Sequence, residues 1–184
     1  MLEGLSAVGK STVSPLLAER LDATLIPTLL PEFETVRKGV DRTRLVMPRL
    51  HFWMMTNYAV SETVREHVRS GQDVVVESYF YRTLATHAAL GASQLPEINW
   101  DHALAPDMTV LLTVDEPVRQ ERLAERERQH GLSYWSRREE SNVEVTRRTY
   151  EALGLQPFDT TRLNAAQVAE RLAQLATQRE AIRG

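Results

Sequence analysis

Residues 4–11 read Gly4-Leu5-Ser6-Ala7-Val8-Gly9-Lys10-Ser11 and match the pattern G-x-x-x-x-G-K-[ST] of a phosphate-binding loop. Glycine lets the backbone of such a loop turn tightly, so that several amide N–H groups converge on one phosphate. The helix that follows presents its positive N-terminal end to the same anion. In this pattern Lys10 contacts the β- and γ-phosphates, and the Ser11 hydroxyl is a ligand of Mg²⁺. The loop therefore predicts a nucleotide-binding site.

The residues on either side of the loop fit a strand–loop–helix unit in part. After the loop, apolar residues such as Val13 and Leu17 recur on one stripe and predict a helix over residues 11–21. Before the loop stand only three residues, whereas a central parallel strand usually has about five. Either the first strand is very short or the protein begins upstream of residue 1. Val8 stands where a serine nucleophile elbow needs glycine, which excludes that alternative.

Short apolar runs alternate with helix-length segments along the rest of the chain. Strand candidates lie at residues 23–27, 74–76, 108–114 and 157–160, and helix candidates at 48–70, 117–130, 137–153 and 164–179. This alternation is typical of βαβ units in an α/β fold with a mostly parallel sheet. The runs at 74–76 and 108–114 are continuously apolar, which indicates strands buried on both faces. No repeat or linker interrupts the 184 residues, so we expect a single domain over residues 1–184.

The composition excludes several classes of function. The chain has no cysteine, so disulfides, thiolate metal sites and cysteine nucleophiles are excluded. A net charge of −3 gives no strong attraction to nucleic acid or to an anionic membrane, so we expect neither as a partner. No apolar run approaches the roughly 20 residues of a membrane helix, and no signal peptide opens the chain, so we expect a cytoplasmic protein. Only Lys10 and Lys38 among the 22 basic residues are lysines.

A carboxylate follows one of the predicted buried strands. Glu77 comes directly after Val74-Val75-Val76, and ligands of open α/β sheets bind at the carboxyl ends of the strands. A carboxylate there can hold Mg²⁺, directly or through water, or it can simply cap the following turn. Asp115 and Glu116 precede Pro117 at a helix start, where N-capping is the simpler interpretation.

Residues 128–140 form a polar stretch that carries several arginines. Such a stretch between two helices is equally typical of a mobile lid and of a solvated connection. The sequence leaves these two alternatives open.

The loop and its surroundings resemble thymidylate kinases and deoxynucleoside kinases. Residues 3–12 are similar to the phosphate loop of those enzymes, and residues 52–77 to their next helix and strand. Glu77-Ser78-Tyr79 stands where thymidylate kinases have Asp-Arg-Tyr, and residues 106–126 and 158–160 resemble later strands and the arginine-bearing helix. The resemblance implies a three-layer P-loop fold with a five-stranded parallel sheet, helices on both faces and a lid at about 128–140. It implies ATP and Mg²⁺ as the phosphate donor and a small-molecule acceptor, and leaves open whether the chain forms a homodimer.

The resemblance also implies roles for individual residues. The nucleotide would be bound by Gly4, Ser6, Ala7, Val8, Gly9, Lys10, Ser11 and Thr12, and by Arg122 and Arg126, which are otherwise ordinary helix-surface charges. The catalytic set would be Lys10, Glu32 as a general base or else a surface loop residue, and the lid arginines Arg137 and Arg138. The acceptor would contact Phe52, Thr56, Tyr58, Glu77, Tyr79 and Arg82, and the metal Ser11 and Glu77. Aromatic residues at helical spacing are more often core than ligand contacts, so we expect at most two of Phe52, Trp53, Tyr58 and Tyr79 to stack on an acceptor.

Three departures from the family pattern concern the acceptor. Ser78, Thr56 and Ser6 stand where thymidylate kinases carry charged groups directed at the acceptor nucleotide, and Arg82 or Arg49 would have to replace them. The sequence therefore favours a kinase that phosphorylates a hydroxyl of a nucleoside or a nucleoside-like metabolite, with thymidine monophosphate at least tenfold poorer as an acceptor. A thymidylate kinase with a rebuilt acceptor site is the first alternative. A regulatory NTPase or an inactive nucleotide-binding module is the second.

Overall fold

The computed structural model describes residues 1–183, with side chains through Arg179. The strands are β1 (Leu2–Glu3), β2 (Thr24–Ile26), β3 (Val74–Val76), β4 (Val110–Thr113) and β5 (Pro157–Asp159). The helices are α1 (Lys10–Arg20), α2 (Glu34–Thr43), α3 (Val46–Arg69), α4 (Phe80–Ala89), α5 (Glu116–His130), α6 (Tyr134–Glu140), α7 (Val143–Ala152) and α8 (Ala165–Arg183). A short 3₁₀ helix, Pro31–Phe33, precedes α2.

All strand pairs in this part of the chain are parallel, as the alternation of strands and helices predicts. One group has the order β1-β4-β5, and the other pairs β2 with β3. A single parallel bridge between Leu2 and Glu77 links the groups, and the Ser78 N–H donates to the Leu2 carbonyl at 2.9 Å. The α/β class is therefore confirmed, whereas the five strands form groups of three and two rather than one continuous ladder.

Two features of the helices differ from the sequence-based expectation, while β1 has two residues in the structure. The expected helix over 137–153 is two helices, because Ser141 and Asn142 donate side-chain hydrogen bonds to the last carbonyls of α6 and end it. The sequence reading also missed α2 and α4. Among residues 1–183, no helix is long and apolar enough to span a bilayer.

Two clusters of buried apolar side chains hold these elements together. The larger joins β1 and β4 to α1 and α8 through residues such as Leu2, Leu17 and Leu172. The second joins α3 and α4 to β2 and β3 through residues such as Leu50 and Phe80. The phosphate loop follows β1 directly, so its position is fixed by the larger cluster.

Candidate active site

The predicted phosphate loop connects β1 to α1 and has a backbone that only particular residues tolerate. Gly4 has φ +144°, and a Cβ there would lie 2.6 Å from the Leu112 carbonyl oxygen. Gly9, at the N-terminus of α1, has φ +104°. Both values lie in the region that favours glycine, so the loop can pass against β4 and turn into the helix. The strand–loop–helix context expected from the sequence is present.

Lys10 is half-buried and folds back over the loop. Its Nζ donates to the carbonyl oxygens of Gly4 at 2.8 Å and Leu5 at 3.0 Å. Burial and the neighbouring charge of Arg82 lower the pKa of Lys10 to about 8, although the carboxylates of Glu3 and Glu77 act in the opposite direction. An anion placed beside the loop would relieve that cost, because it adds negative charge next to the ammonium group.

Glu3 is a fully buried carboxylate behind the loop, and the sequence reading did not select it as a site residue. Its Oε1 accepts the Tyr79 N–H at 2.9 Å, and its Oε2 accepts the Tyr150 hydroxyl at 3.1 Å. Burial raises the pKa of Glu3, whereas its hydrogen bonds and the charges of Lys10 and Arg82 lower it. Glu3 thus compensates part of the positive charge that faces the site.

A cavity of about 330 Å³ opens beside the loop. Its charged lining residues are Lys10, Arg49, Arg82, Arg126, Glu77 and Glu139, and its aromatic ones are Trp53 and Trp135. Small polar residues complete the wall: Ser6, Thr28, Ser78, Thr83, Thr86, Ser133 and Ser136, together with His87. Four cationic side chains against two carboxylates favour an anionic ligand, and the two tryptophans offer apolar faces to a planar group.

Arg82 occupies the part of this cavity next to the phosphate loop. Its Nη2 donates to Ser6 Oγ at 3.2 Å. The guanidinium also forms an ion pair with the Glu139 carboxylate, with Nη1–Oε1 at 2.6 Å and Nη2–Oε2 at 2.9 Å. Burial alone would lower the pKa of Arg82, but Glu139 raises it above its ordinary value. Of the two arginines expected to replace the missing family charges, Arg82 therefore lies beside the loop, one helical turn after Ser78.

Arg122 and Arg126 lie on α5 and face different parts of the site. Arg122 donates to the Val8 carbonyl at 3.4 Å and borders a second cavity, of about 240 Å³, with Gly9, Thr12, Thr160 and Leu163. Arg126 borders the larger cavity with Lys10. The two arginines therefore border different cavities beside the phosphate loop.

Several side chains expected at the acceptor lie in the core instead. Phe52 packs edge-on against Trp53 and is buried, and the Tyr58 ring packs against Phe80. Thr56 is buried, and its hydroxyl donates to the Trp53 carbonyl at 3.0 Å. Tyr79 is also buried. None of these four side chains borders the larger cavity within the described chain; of the aromatic candidates only Trp53 does, and it lines the cavity together with residues of α4.

The side chains proposed for catalysis outside the loop also lie away from this cavity. Glu32 is exposed on the 3₁₀ helix. Arg137 pairs with Glu127 at 3.5 Å, and Arg138 donates to the Tyr134 hydroxyl at 3.3 Å. Their roles stay predictions, and both would need a rotation of α6 or of their side chains to reach a phosphate beside Lys10.

The expected lid is largely helical, since α5 runs to His130 and α6 begins at Tyr134. Trp135 and Glu139, four residues apart on one face of α6, point into the cavity. Arg137 and Arg138 take the remaining faces. The sequence offered no signal for Trp135 or Glu139, because their role depends on the contact between α6 and α4.

The residues expected to hold Mg²⁺ are compatible with that ion. Mg²⁺ is usually bound through one or two protein oxygens, with phosphate oxygens and water completing its shell. Glu77 borders the cavity with Lys10, and Ser11 lies in the first turn of α1. No group of three or more acidic or histidine side chains that could hold a metal by themselves occurs in the searched residues. The donor set thus fits a metal carried by a nucleotide.

Comparisons with known proteins agree with the loop and the fold. The sequence model of the family described as thymidylate kinase matches residues 2–176. A probable thymidylate kinase of Methanocaldococcus jannaschii is 27% identical over 125 residues, which cover 62% of this chain and 63% of that protein. A probable thymidylate kinase of Pyrobaculum aerophilum is 28% identical over 133 residues, 68% of this chain and 69% of that protein. The chain therefore spans less than two thirds of the length of the first of these relatives.

Two solved structures share the fold at low sequence identity. The thymidylate kinase of Candida albicans superposes with a TM-score of 0.70 at 16% identity, covering 97% of this chain and 90% of that one. The YorR protein of Bacillus subtilis, solved in complex with phosphorylated GDP, gives a TM-score of 0.58 at 17% identity, covering 98% and 96%. At these identities the likeness concerns the fold alone.

Proposed function

The chain belongs to the thymidylate kinase family, and from that premise we propose that it transfers the γ-phosphoryl group of ATP to the phosphate of a nucleoside monophosphate. The observation that carries the proposal is the place of Arg82, in hydrogen-bond contact with Ser6 of the phosphate loop and on the wall of the cationic cavity. A guanidinium there can bind a phosphate on the acceptor close to the one being transferred. Arg82 would exchange part of its contacts with Glu139 and Ser6 for phosphate oxygens, which suit a forked guanidinium geometrically and electrostatically.

At the donor end, the backbone of the loop and the N-terminus of α1 would hold the β- and γ-phosphates. Lys10 would exchange its contacts with the Gly4 and Leu5 carbonyls for phosphate oxygens. Ser11 and Glu77 would hold Mg²⁺, which neutralises charge that develops on the transferring group. Arg122 would contact the nucleotide on the outer side of the loop. Positioning and charge stabilisation account for this chemistry, since the protein needs no covalent step of its own.

At the acceptor end, Arg82 supplies a cation that Ser78 cannot supply. Trp53 and Trp135, the aromatic side chains on the cavity wall within the described chain, would contact the base with the ring surface that Arg49 leaves free. The acceptor site is thus rebuilt with an arginine from α4 and tryptophans from α3 and α6. Kinetics with different nucleoside monophosphates would identify the base that this site selects.

A nucleoside hydroxyl is the second candidate acceptor, and Glu77 is the observation that favours it. Its carboxylate borders the cavity, and burial raises its pKa, although Lys10 and Arg126 act in the opposite direction. A carboxylate with a raised pKa is a better base toward a hydroxyl proton than an ordinary surface glutamate. This candidate leaves the excess of cations in the cavity unexplained.

Steady-state kinetics at saturating ATP·Mg²⁺ test the proposal with matched pairs of nucleoside monophosphates and nucleosides, thymidine monophosphate and thymidine included. We expect each preferred monophosphate to exceed its nucleoside at least tenfold in kcat/KM. Lys10→Ala should abolish transfer, while Lys38→Ala, at the only other lysine and 63% exposed, should leave it unchanged. A preference for nucleosides would instead establish the hydroxyl acceptor, and ATP binding without turnover on any acceptor would end the kinase proposal.

A further inference from the structure

Arg49 is a largely buried cation on the wall of the acceptor cavity. It lies in the first turn of α3, with a side chain 11% exposed. We infer that Arg49 binds an anionic oxygen of the acceptor, through a guanidinium edge that Asp41 and His87 hold in place. This inference rests on the proposed function and gives the acceptor site its second phosphate-binding cation beside Arg82.

Two hydrogen bonds fix the orientation of the Arg49 guanidinium. Its Nε donates to Asp41 Oδ1 at 3.0 Å, and its Nη1 lies 3.0 Å from His87 Nε2. Asp41 is shared, since its other oxygen accepts from Arg37 at 2.7 Å. For Nη2 the structure shows no hydrogen-bond partner among the described residues. One donor edge therefore stays available to a ligand in the cavity.

His87 accepts a hydrogen bond from Arg49. Its Nδ1 lies 2.7 Å from the Thr83 carbonyl oxygen, which can only accept, so the ring proton resides on Nδ1. Nε2 then carries the lone pair that accepts from Arg49. Burial and the charge of Arg49 lower the pKa of His87 to about 3, so the ring is neutral at physiological pH. His87 is accordingly a positioning residue, acting through Arg49.

The same guanidinium lies over two tryptophan rings. Its central carbon lies 4.9 Å from the centroid of the Trp135 ring and 5.6 Å from that of Trp53. The Trp135 indole N–H donates in turn to the Asp41 carbonyl at 3.2 Å, which ties α6 to α2. A guanidinium that is hydrogen-bonded at Nε and Nη1 and lies over two aromatic rings has Nη2 left for a ligand. Such preorganisation suits recognition of one oxygen at a defined place.

The charges around Arg49 indicate that the bound oxygen belongs to a phosphate. Asp41 compensates Arg49 only in part, because it also pairs with Arg37. Glu139, the nearest cavity carboxylate to both arginines, is engaged by Arg82 and by the Thr86 hydroxyl. An acceptor phosphate would complete the compensation, with Arg82 on the oxygen nearer the loop and Arg49 on another.

The test compares Arg49→Gln and Arg49→Lys with Arg44→Gln, a neighbouring arginine that stacks on Tyr134 outside the cavity. For the preferred monophosphate, Arg49→Gln should raise KM at least tenfold and leave KM for ATP within twofold. Arg49→Lys keeps the charge but loses the fixed guanidinium edge, so its KM for the monophosphate should lie between those of the wild type and Arg49→Gln. The same variants should change KM for the matched nucleoside less than threefold. Equal losses for monophosphate and nucleoside would overturn the inference, because they would assign Arg49 to the base, the sugar or the packing.

His87→Gln supplies a readout that a merely structural role would not give. It should raise KM for the monophosphate in the same direction as Arg49→Gln, and the double variant should be no worse than Arg49→Gln alone. Additive effects would overturn the positioning role. Binding of the monophosphate alone, measured by tryptophan fluorescence, keeps the test independent of turnover. If the wild type binds the monophosphate and Arg49→Gln binds it equally well, the inference is refuted. If the wild type does not phosphorylate any monophosphate, the proposed function is refuted instead.

Discussion

Arg82 on α4 and Glu139 on α6 form a two-point ion pair across the acceptor cavity, with oxygen–nitrogen distances of 2.6 and 2.9 Å. Both side chains are largely buried, at 18% and 10% exposed. The pair fastens α6, which lies in the segment expected to form a lid, to the helix that begins after β3. Because Arg82 also contacts Ser6, the position of α6 is coupled to the phosphate loop.

Glu139→Gln should therefore loosen the lid. Replacing the carboxylate removes a charge-assisted contact worth about 1.5–3 kcal/mol, and the cost should fall mainly on α6 rather than on the whole chain. Hydrogen exchange of amides 134–140 should accelerate at least tenfold. Glu127→Gln is the matched control, since Glu127 pairs at 3.5 Å with the 64% exposed Arg137, and it should change exchange little. Equal exchange in the two variants would show that the Arg82–Glu139 pair does not hold the lid.

The lowered pKa of Lys10 predicts a pH dependence of stability. The lysine titrates at about 8 in the folded protein and at about 10.5 when unfolded, so between these values the unfolded state binds more protons. The free energy of unfolding then rises with pH across that window by about 3 kcal/mol. Denaturant titrations at pH 7.5 and 10 should show this gain in the wild type relative to Lys10→Met. A gain of the same size in both proteins would assign it to other groups.

The same shift predicts a pH dependence of activity with the opposite direction. Binding of the triphosphate needs the ammonium form, so kcat/KM for ATP should fall as pH rises above about 8. Bound phosphates add negative charge beside Lys10 and raise its pKa, so kcat should persist to higher pH than kcat/KM. Parallel profiles of the two quantities would contradict this account.

Gly4→Ala should destabilise the fold strongly. The residue has φ +144°, and a Cβ would lie 2.6 Å from a backbone oxygen of β4 and 2.9 Å from Val8 Cγ2. Neither atom is the flexible end of a long side chain, so we expect a loss of about 3 kcal/mol in the free energy of unfolding. Gly71→Ala is the control: φ is +80°, no atom lies within 4 Å, and the loss should be about 1 kcal/mol. Similar denaturation midpoints for the two variants would exclude the close approach to β4 as the cause.

The sequence alone predicted those parts of the structure that depend on residues close together in the chain. The phosphate loop, α1 and the strands β2 to β5 follow from spacing and apolar runs, and Arg82 follows from its place one turn after Ser78. The side chains that α3 directs into the cavity could not be read in the same way. Phe52 and Trp53 are adjacent in sequence, yet Phe52 is buried and Trp53 borders the cavity, and no local pattern distinguishes the two positions.

The side chains of α6, in the segment expected to form a lid, were also not predictable from local sequence. Glu139 meets Arg82 across 57 residues of sequence, so nothing local distinguishes it from Glu140, which instead pairs with Arg119. The arginines Arg137 and Arg138 have the residue type that the family resemblance favours for a lid. They lie on other faces of α6 because Trp135 and Glu139 take the cavity side.

The positions of Arg122 and Arg126 predict that the two arginines act at different steps. Arg122 lies against the outer side of the loop, where its nearest partners are Val8 and Gly9, so Arg122→Ala should raise KM for ATP about tenfold with kcat little changed. Arg126 borders the cavity with Lys10 and Glu77, where charge develops during transfer. Arg126→Ala should therefore lower kcat by about 10²-fold and leave KM for ATP within threefold. Initial-rate kinetics over a matrix of ATP and acceptor concentrations separate the two effects, with Arg128→Ala, 73% exposed on the same helix, as the control. If Arg126→Ala changed only KM for ATP, both arginines would belong to donor binding, and the charge stabilisation during transfer would rest on Lys10 and Arg82.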